Sequence, residues 1–327
     1  MTSSSAITGA RSAATDSGSR RAPDPAAADF PPSAVPDTAA APSASSAAGC
    51  SIDAERRFGG LARLYGPDAP ARLRAAHVAV AGLGGVGSWT AEALARCGVG
   101  ALTLIDLDHI APSNVNRQIH ALSATLGAAK VDAMAARVAG INPDCVVHCV
   151  DDFVTPDNVA QVLSGRYDAI VDCTDQIAAK VAMILHGRER RIPVVVCGGA
   201  GGKTDPLALR AGDLSLALND ALLAKLRNKL RREHGYPKAS DKAGRALKRV
   251  PRMRVEALWF DQPAILPQAW TDAREGEDDV GAMAVAVAPQ GLSCAGYGSS
   301  VTITAAMGMA AADRVLRRLL QQGGQKA

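Results

Sequence analysis

The sequence predicts an α/β fold built on a doubly wound, mainly parallel β-sheet. Between about residues 77 and 200, short apolar runs alternate with helical stretches, and the first run ends in a glycine-rich turn that leads directly into a helical pattern. This alternation is typical of parallel strands that crossover helices cover on both faces. Hydrophobic residues make up 48% and charged residues 21% of the 327 positions, which are ordinary globular values.

The first 50 residues differ in composition from the rest of the chain. Ala, Ser and Pro (15, 10 and 6 residues) fill 31 of these positions, without apolar periodicity. Such a segment buries too little apolar surface to fold, so we predict a disordered low-complexity tail over residues 1–50 and one ordered domain over residues 53–320. The tail lacks the apolar run of a secretory signal. Its scattered arginines also fit an organellar transit peptide, although its acidic residues and prolines would disrupt an amphipathic helix.

The predicted strands and helices follow one another in a regular order. The strands are HVAVAG from His77, ALTLIDLD from Ala101, CVVHCVDD from Cys145, YDAIVDCTD from Tyr167 and PVVVCGG from Pro193. The helices between them cover residues 88–98 and about 128–142, 156–163 and 177–190. The stretch over residues 280–312 is too polar for a membrane span, and from about Ser299 it predicts a buried helix of small residues.

The turn after the first strand reads Gly82-Leu-Gly84-Gly85-Val-Gly87, a match to G-x-G-x-x-G between a strand and a helix. Glycine lets the backbone approach phosphate oxygens, which then meet free N–H groups and the positive end of a helix dipole. The second strand closes at Asp106, 19 residues after Gly87, where a carboxylate can accept hydrogen bonds from ribose hydroxyls. A tight turn without a ligand would explain the glycines but not the acid. We therefore predict a Rossmann-like nucleotide site.

The residues after Asp106 distinguish ATP from NAD, the usual ligand of this motif. The segment SNVNRQ, with Asn114 and Arg117, follows within 12 residues, and Lys130 lies 13 residues after Arg117. Two cations and an amide near the phosphates favour a triphosphate, because a departing pyrophosphate requires extra positive charge. We therefore predict ATP, with an NAD-dependent oxidoreductase as the alternative; either cation alone would be read as solvated surface charge.

Two acids close the fourth strand, in Asp172-Cys-Thr-Asp175. An acid in this position can hold Mg²⁺ against the phosphates of the nucleotide. Either carboxylate can instead cap the helix that follows. We predict that Asp175 is the metal ligand.

Taken in order, GLGGVGS, LIDLD, SNVNRQ, Lys130 and DCTD resemble the E1-like adenylating family over roughly residues 53–320. That family includes ubiquitin-activating enzymes and the adenylyltransferases that charge sulfur-carrier proteins in thiamine and molybdopterin synthesis. The resemblance implies a Rossmann-like adenylation fold and a homodimer that binds ATP and Mg²⁺. It also implies that a substrate carboxylate attacks the α-phosphate and releases pyrophosphate.

The resemblance assigns roles to individual positions. The nucleotide would be bound by Gly82, Gly84, Gly85, Gly87, Asp106, Asp108, Asn114, Arg117 and Lys130. The catalytic residues would be Arg63, Arg117, Lys130 and Asp175, with Asp175 also the metal ligand. An arginine before the first strand would reach into the neighbouring subunit's site, and Arg63 fits this role best, with Arg57 as the second candidate.

Longer segments resemble one branch of that family, the tRNA threonylcarbamoyladenosine dehydratases. They are RFGGLARLYG from Arg57, NRQIHA from Asn116, DDFVTPDNV from Asp151 and GGAGG from Gly198. The resemblance implies an ATP-dependent cyclising ligase that acts on threonylcarbamoyl-modified adenosine 37 of tRNA. Some relatives associate with a sulfur-transfer (cysteine desulfurase) system. The alternative is adenylation of the C-terminal carboxylate of a sulfur-carrier protein, but those enzymes carry two Cys-x-x-Cys pairs and this chain has none.

Residues 225–254 form a strongly basic segment. Twelve Lys and Arg residues stand against Glu233 and Asp241, a local charge of +10 (12 minus 2) that the chain's net +4 conceals. Such clustering is the electrostatic signature of a protein that binds a nucleic-acid backbone, and it predicts contact with tRNA; the alternative is a solvated helix face.

The seven cysteines are odd in number and never spaced as Cys-x-x-Cys. This argues against a disulfide framework and a four-cysteine zinc site, and it predicts a reducing, cytoplasmic location. Cys197 closes a strand, so we expect it to be a core residue rather than a thioester nucleophile.

Overall fold

A seven-stranded sheet organises the domain, with strand order β3-β2-β1-β4-β5-β7-β6. This computed structural model describes residues 55–241, 243–266 and 297–321. The strands are β1 (His77–Ala81), β2 (Ala101–Ile105), β3 (Val146–Val150), β4 (Ala169–Asp172), β5 (Val194–Cys197), β6 (Leu209–Asp213) and β7 (Glu256–Phe260). All neighbouring strands run parallel except β6 and β7.

Helices precede the first strand, connect several of the strands and follow the last one. They are α1 (Gly60–Tyr65), α2 (Ala69–Arg74), α3 (Gly87–Arg96), α4 (Lys130–Ile141), α5 (Val159–Val162), α6 (Ile177–Arg190), α7 (Ala221–Glu233) and α8 (Val301–Gln321). The doubly wound, mainly parallel α/β fold is therefore confirmed. The predicted tail over residues 1–50 lies outside the described residues.

Most predicted elements form near their expected bounds, and one is shorter. The helix expected over residues 156–163 is the single turn α5. Asn158 accepts a hydrogen bond from the Thr155 amide at 2.7 Å, and the Thr155 hydroxyl accepts one from the Asn158 amide at 3.2 Å. These reciprocal bonds hold the chain in a turn, so that the helix begins only after Asn158.

The small-residue helix predicted from about Ser299 is α8, and it packs against α3 beside the glycine-rich turn. A Cβ atom at Gly308 would lie 2.5 Å from the Val86 carbonyl oxygen, so only glycine permits this approach. The Thr90 hydroxyl also donates to the Gly308 carbonyl at 3.2 Å. Among the described helices, none is both long and apolar enough to cross a membrane.

A buried ion pair joins β4 to α6. Asp172 and Lys180 are fully buried, with the Lys180 Nζ 3.2 Å from an Asp172 oxygen and 2.8 Å from the Cys197 carbonyl oxygen. Burial raises the pKa of Asp172, while Lys180 and hydrogen bonds from Thr174 oppose that shift. The same carboxylate oxygen accepts from the Thr174 amide and hydroxyl at 3.1 and 2.8 Å. Asp172 therefore anchors the loop that precedes Asp175 and does not cap α6, which begins after Gln176 without a side-chain cap.

We expect Lys180→Met to lower the free energy of unfolding by about 3–5 kcal/mol, because it leaves a buried carboxylate without its cation. Adding Asp172→Asn, which retains an acceptor for Thr174, should recover at least half of that loss in urea unfolding. As a control, Lys229→Met breaks the exposed Lys229–Glu233 pair and should change stability by no more than about 0.5 kcal/mol. Equal losses for the single and double variants would show that stability does not depend on neutralising the buried Asp172 carboxylate.

Candidate nucleotide-binding site

A cleft of about 350 Å³ opens at the carboxyl ends of the strands. Its walls come from the turn after β1, the segments that follow β2, β3, β4 and β5, and the start of α8. The predicted site residues that line it are Gly82, Gly84, Gly85, Asp106, Asp108, Asn114, Arg117, Lys130 and Asp175. Gly87 and Arg63 do not line this cleft.

Different local constraints explain the presence of glycine at each position of the first turn. Gly82 adopts a φ of +84°, which side chains rarely tolerate. A Cβ at Gly87 would lie 1.7 Å from the Gly82 carbonyl oxygen, so this glycine lets α3 start tightly against the turn. A Cβ at Gly84 would meet no atom within 4 Å. Gly84 thus leaves open space above the backbone, and contact of a nucleotide with this position stays a prediction.

Asp106 fixes the turn to the end of β2. Its carboxylate accepts hydrogen bonds from the Leu83 amide at 2.6 Å and the Asp108 amide at 2.9 Å, and the residue is only 6% exposed. The sequence expectation of an acid beside the glycine turn is confirmed in position. Contact of Asp106 with a ribose stays a prediction.

Lys130 is the first residue of α4 and is buried at the cleft. Its Nζ lies 2.6 Å from Asp108 and 3.5 Å from Asp106, so the interpretation of a solvated surface charge is wrong for this residue. The Asp108 side chain is 56% exposed and presents its carboxylate beside the paired ammonium. The lysine therefore neutralises two carboxylates next to the site, and its contact with phosphates stays a prediction.

Asn114 and Arg117 belong to the turn after β2. The Asn114 side-chain oxygen accepts from the Ala111 amide at 3.0 Å, which leaves its NH₂ group as the donor for a ligand. The Arg117 guanidinium donates to the Ser113 carbonyl at 2.6 Å and the Asn116 side chain at 3.0 Å. These bonds hold both polar groups at the rim of the cleft.

Two helix N-termini meet the cleft without a side-chain cap. The residues before α3 and α6, Val86 and Gln176, both line the cleft, and neither helix has a side-chain cap. Uncapped N-termini present free amide groups and the positive end of the helix dipole, which together favour a phosphate. The cleft therefore fits a polyphosphate ligand.

Asp175 is an exposed carboxylate in the cleft, and no protein group in the described part of the chain binds it. Carboxylate oxygens are suitable ligands for Mg²⁺. The described residues contain no cluster of three or more His, Cys, Asp or Glu that could hold a metal. Asp175 therefore fits a Mg²⁺ ion that takes most of its ligands from substrate phosphates and water, as Mg²⁺ commonly does.

Two further groups at the site were not singled out from the sequence. Asp220 is buried; its oxygens accept from the Gly199 amide and from the Leu223 amide, each at 2.8 Å, so that it caps α7 and holds the loop after β5. An acid three residues before Leu223 is the available sequence signal. Phe153 is an aromatic side chain, 41% exposed, in the cleft wall after β3. An aromatic directly after a strand, in a chain with 3% aromatics, could have drawn attention to it.

His120 is buried beside Lys130 and does not line the cleft. Burial, then the charges of Lys130 and Arg137, lower its pKa to about 4. The His120 side chain is therefore uncharged at neutral pH and adds no positive charge to those of Arg117 and Lys130.

The two candidate arginines before β1 lie in different places. Arg63 is exposed on α1. The Arg57 guanidinium donates to the Ile141 carbonyl at 2.9 Å, at the C-terminal end of α4. Because α4 starts at the cleft with Lys130 and ends at Ile141, Arg57 lies at the end of this helix that is remote from the cleft.

Comparisons with known proteins assign the chain to a family. Residues 59–327 match the profile of the ThiF family. The chain belongs to the ThiF family. A tRNA threonylcarbamoyladenosine dehydratase of Haemophilus influenzae is 41% identical over 269 residues, which cover 82% of this chain and 95% of that relative. The Escherichia coli protein of the same name is 41% identical over 273 residues, covering 83% and 96%.

The fold of this ThiF-family chain is also similar to solved structures. The crystal structure of the E. coli dehydratase in complex with ATP superposes with a TM-score of 0.69 at 38% identity, covering 84% of this chain and 97% of that one. The complex of the E. coli enzyme with AMP gives 0.68 at 39% identity, covering 82% and 95%.

We expect Gly84→Ala to fold normally yet to raise the Kd for ATP at least tenfold. Its methyl group would meet no protein atom within 4 Å but would occupy the space over the turn. Thermal unfolding and calorimetric titration with ATP test both halves. Gly87→Ala is the matched comparison and should fail to fold stably, because its Cβ would overlap the Gly82 carbonyl oxygen. Normal ATP affinity in Gly84→Ala would show that the nucleotide does not approach this turn.

Proposed function

We propose that this protein is an ATP-dependent dehydratase that cyclises the threonylcarbamoyl group on adenosine 37 of tRNA. One observation carries the proposal: a cleft suited to a polyphosphate lies in a chain that matches dehydratases of that name over 95–96% of their length. The adenylation of a sulfur-carrier protein, which the sequence leaves as an alternative, has no comparable support.

The chemistry needs positioned charge more than an enzymic nucleophile. The threonylcarbamoyl group ends in a carboxylate, whose oxygen would attack the α-phosphorus of ATP while the bond to the pyrophosphate breaks. The carbamoyl group would then attack the activated carbonyl carbon of the same modification and expel AMP. Because both reacting groups belong to one modification, effective molarity replaces a covalent enzyme intermediate. The residues assigned to the charge of the departing pyrophosphate are Arg117 and Lys130, with the amides of the glycine turn.

Cys197 supports a mechanism without a thioester. It is 1% exposed at the end of β5, which confirms its expected place in the core. Hydrogen bonding with Cys173, 3.8 Å away, and burial raise the pKa of the Cys197 thiol well above its usual range. A buried thiol of this kind is a poor nucleophile.

We assign Mg²⁺ binding to Asp175, the open carboxylate of the cleft. Mg²⁺ in this position would neutralise phosphate charge. The Asp172 carboxylate is excluded from that role because it is buried and paired with Lys180.

The basic segment supports an RNA substrate, because it begins at the rim of the cleft. Leu222 of α7 lines the cleft, and the exposed Lys225 and Arg232 lie further along the same helix. At about 1.5 Å per residue, Arg232 lies roughly 15 Å along α7 from Leu222. RNA bound along this helix could place a base in the cleft.

Not every cation of the segment is free for RNA. Arg227 donates to the Ala217 carbonyl at 2.7 Å, and Arg231 donates to the Pro237 carbonyl at 3.0 Å. These two arginines hold the ends of α7, so the count of +10 overstates the charge available to a partner.

The assembly and location of the protein remain proposals. We propose a homodimer in which Arg63 serves the neighbouring cleft, since the exposed Arg63 does not line the cleft of its own subunit. A sulfur-transfer partner and a cytoplasmic location stay predictions from the sequence.

We expect the protein to release pyrophosphate from ATP only when tRNA carrying threonylcarbamoyladenosine is present. Pyrophosphate release is followed with modified tRNA, with the same tRNA lacking the modification, and with a small carrier protein ending in Gly-Gly. Release that depends on the carrier protein would favour the adenylyltransferase alternative. Equal release with both tRNAs would reject the dehydratase.

Arg63→Ala and Asp175→Asn should each abolish turnover without loss of Tm, because neither side chain is buried. Mixing the two variants after dissociation and reassociation should restore activity, because each heterodimer then has one intact site. Mixtures as inactive as the parents would place Arg63 outside the partner's site. Self-mixed samples of each variant provide the control.

A further inference from the structure

A second cavity, of about 600 Å³, lies at the amino ends of β5 and β7. We call it the arginine cavity, because Arg188, Arg252, Arg254 and Arg318 line it together with Tyr236 and Glu256. It reaches Val194 at the start of β5, whereas the nucleotide cleft reaches Gly198 just after the end of that strand. At about 3.3 Å per strand residue, roughly 13 Å of chain separates the two sites.

The arginine cavity carries positive charge that the protein does not neutralise. Glu256 is its only acidic lining residue, and that carboxylate already accepts hydrogen bonds from Arg318, at 2.6 Å, and from Arg314. In the described part of the chain, no acid forms an ion pair with Arg188, Arg252 or Arg254. Unpaired guanidinium groups in one concave site favour an anionic ligand.

One of these arginines is held by a cation–π contact. The Arg188 guanidinium lies 5.2 Å from the centroid of the buried Tyr236 ring. Together with a hydrogen bond to the Tyr236 side chain, this contact positions the guanidinium, and its remaining N–H groups can bind a ligand.

Arg254 is held in an unfavourable backbone conformation. Its φ is +58°, in the left-handed region that a long side chain rarely adopts. Asp213 holds the backbone there, because its two oxygens accept from the Met253 amide at 2.9 Å and the Arg254 amide at 2.7 Å. Backbone strain of this kind persists only where surrounding contacts impose it, and it is concentrated at functional positions.

We propose that the arginine cavity binds a backbone phosphate of the tRNA, away from the nucleotide cleft. A planar guanidinium matches the oxygens of a phosphate, and several arginines around one cavity reinforce that match. The cavity is continuous along the chain with the exposed Arg245, Lys248 and Arg249, which a long polyanion could follow. The identity of the ligand as tRNA rests on the proposed function.

The test uses tRNA without the threonylcarbamoyl modification, so that binding is measured without turnover. Arg254→Gly removes the charge and relieves the strained φ, and Arg252→Gln removes a second charge. Arg190→Gln is the control, since Arg190 is exposed in the last turn of α6 but does not line the cavity. Filter binding is measured across a salt series, together with the Kd for ATP and the Tm.

We expect the double variant Arg254→Gly/Arg252→Gln to bind tRNA at least tenfold more weakly than the Arg190→Gln control. Its salt dependence should fall by up to ~0.9 log unit per lost phosphate contact, a value taken from duplex DNA. The Kd for ATP should stay unchanged, and the Tm should stay at or above the wild-type value. Weaker tRNA binding without loss of stability is a result that a purely structural role of Arg252 and Arg254 cannot produce.

Equal tRNA affinities for the double variant and the control would overturn the proposal. In that case, the effect of millimolar inorganic phosphate on the Tm is also measured at constant ionic strength. One outcome is that phosphate raises the Tm of the wild type and not that of the double variant. That outcome would assign the cavity to a small phosphate. If the double variant loses tRNA binding but modified tRNA does not trigger ATP turnover in the wild type, the cavity stands and the dehydratase proposal fails.

Discussion

The carboxylate of Asp106 is the contact on which the nucleotide cleft depends. It binds the Leu83 amide at 2.6 Å and the Asp108 amide at 2.9 Å, and it lies 3.5 Å from the Lys130 ammonium. One buried side chain therefore ties the glycine turn, the end of β2 and the start of α4 to a single point. Hydrogen bonds in such a low-dielectric position are strong, and an unpaired group there is costly. The turn is thereby held open toward the ligand before any nucleotide arrives.

The features that the sequence predicts well are local in the chain. Alternating apolar runs locate β1 to β5, and the spacing from Gly82 to Asp106 predicts a site where the two lie together. The periodicity of residues 177–190 gives the bounds of α6. The strands and α6 follow from the pattern of neighbouring residues, and the glycine turn with its acid follows from the known spacing of a strand–turn–helix–strand motif.

The features that the sequence does not predict are contacts that form only when separate strands and helices pack together. The sequence predicts Lys130 at the site but not its burial or its ion pairs with Asp106 and Asp108, which form only in the fold. The pair of Asp172 and Lys180 requires β4, β5 and α6 to be in place. The basic segment is continuous in sequence, yet its start lies at the nucleotide cleft and Arg254 lies at the opposite edge of the sheet. The net charge of residues 225–254 cannot show that these cations divide between the nucleotide cleft and the arginine cavity.

The proposed reaction determines where one oxygen atom of the threonyl carboxylate ends. If a substrate carboxylate attacks the α-phosphorus and AMP then leaves from the carbonyl carbon, AMP retains one oxygen of that carboxylate. Modified tRNA with a heavy oxygen isotope in the threonyl carboxylate, incubated with ATP and the protein, tests this by mass spectrometry of the released nucleotide. We expect labelled AMP and a tRNA nucleoside lighter by one water molecule. Unlabelled AMP, or release of ADP in its place, would contradict it.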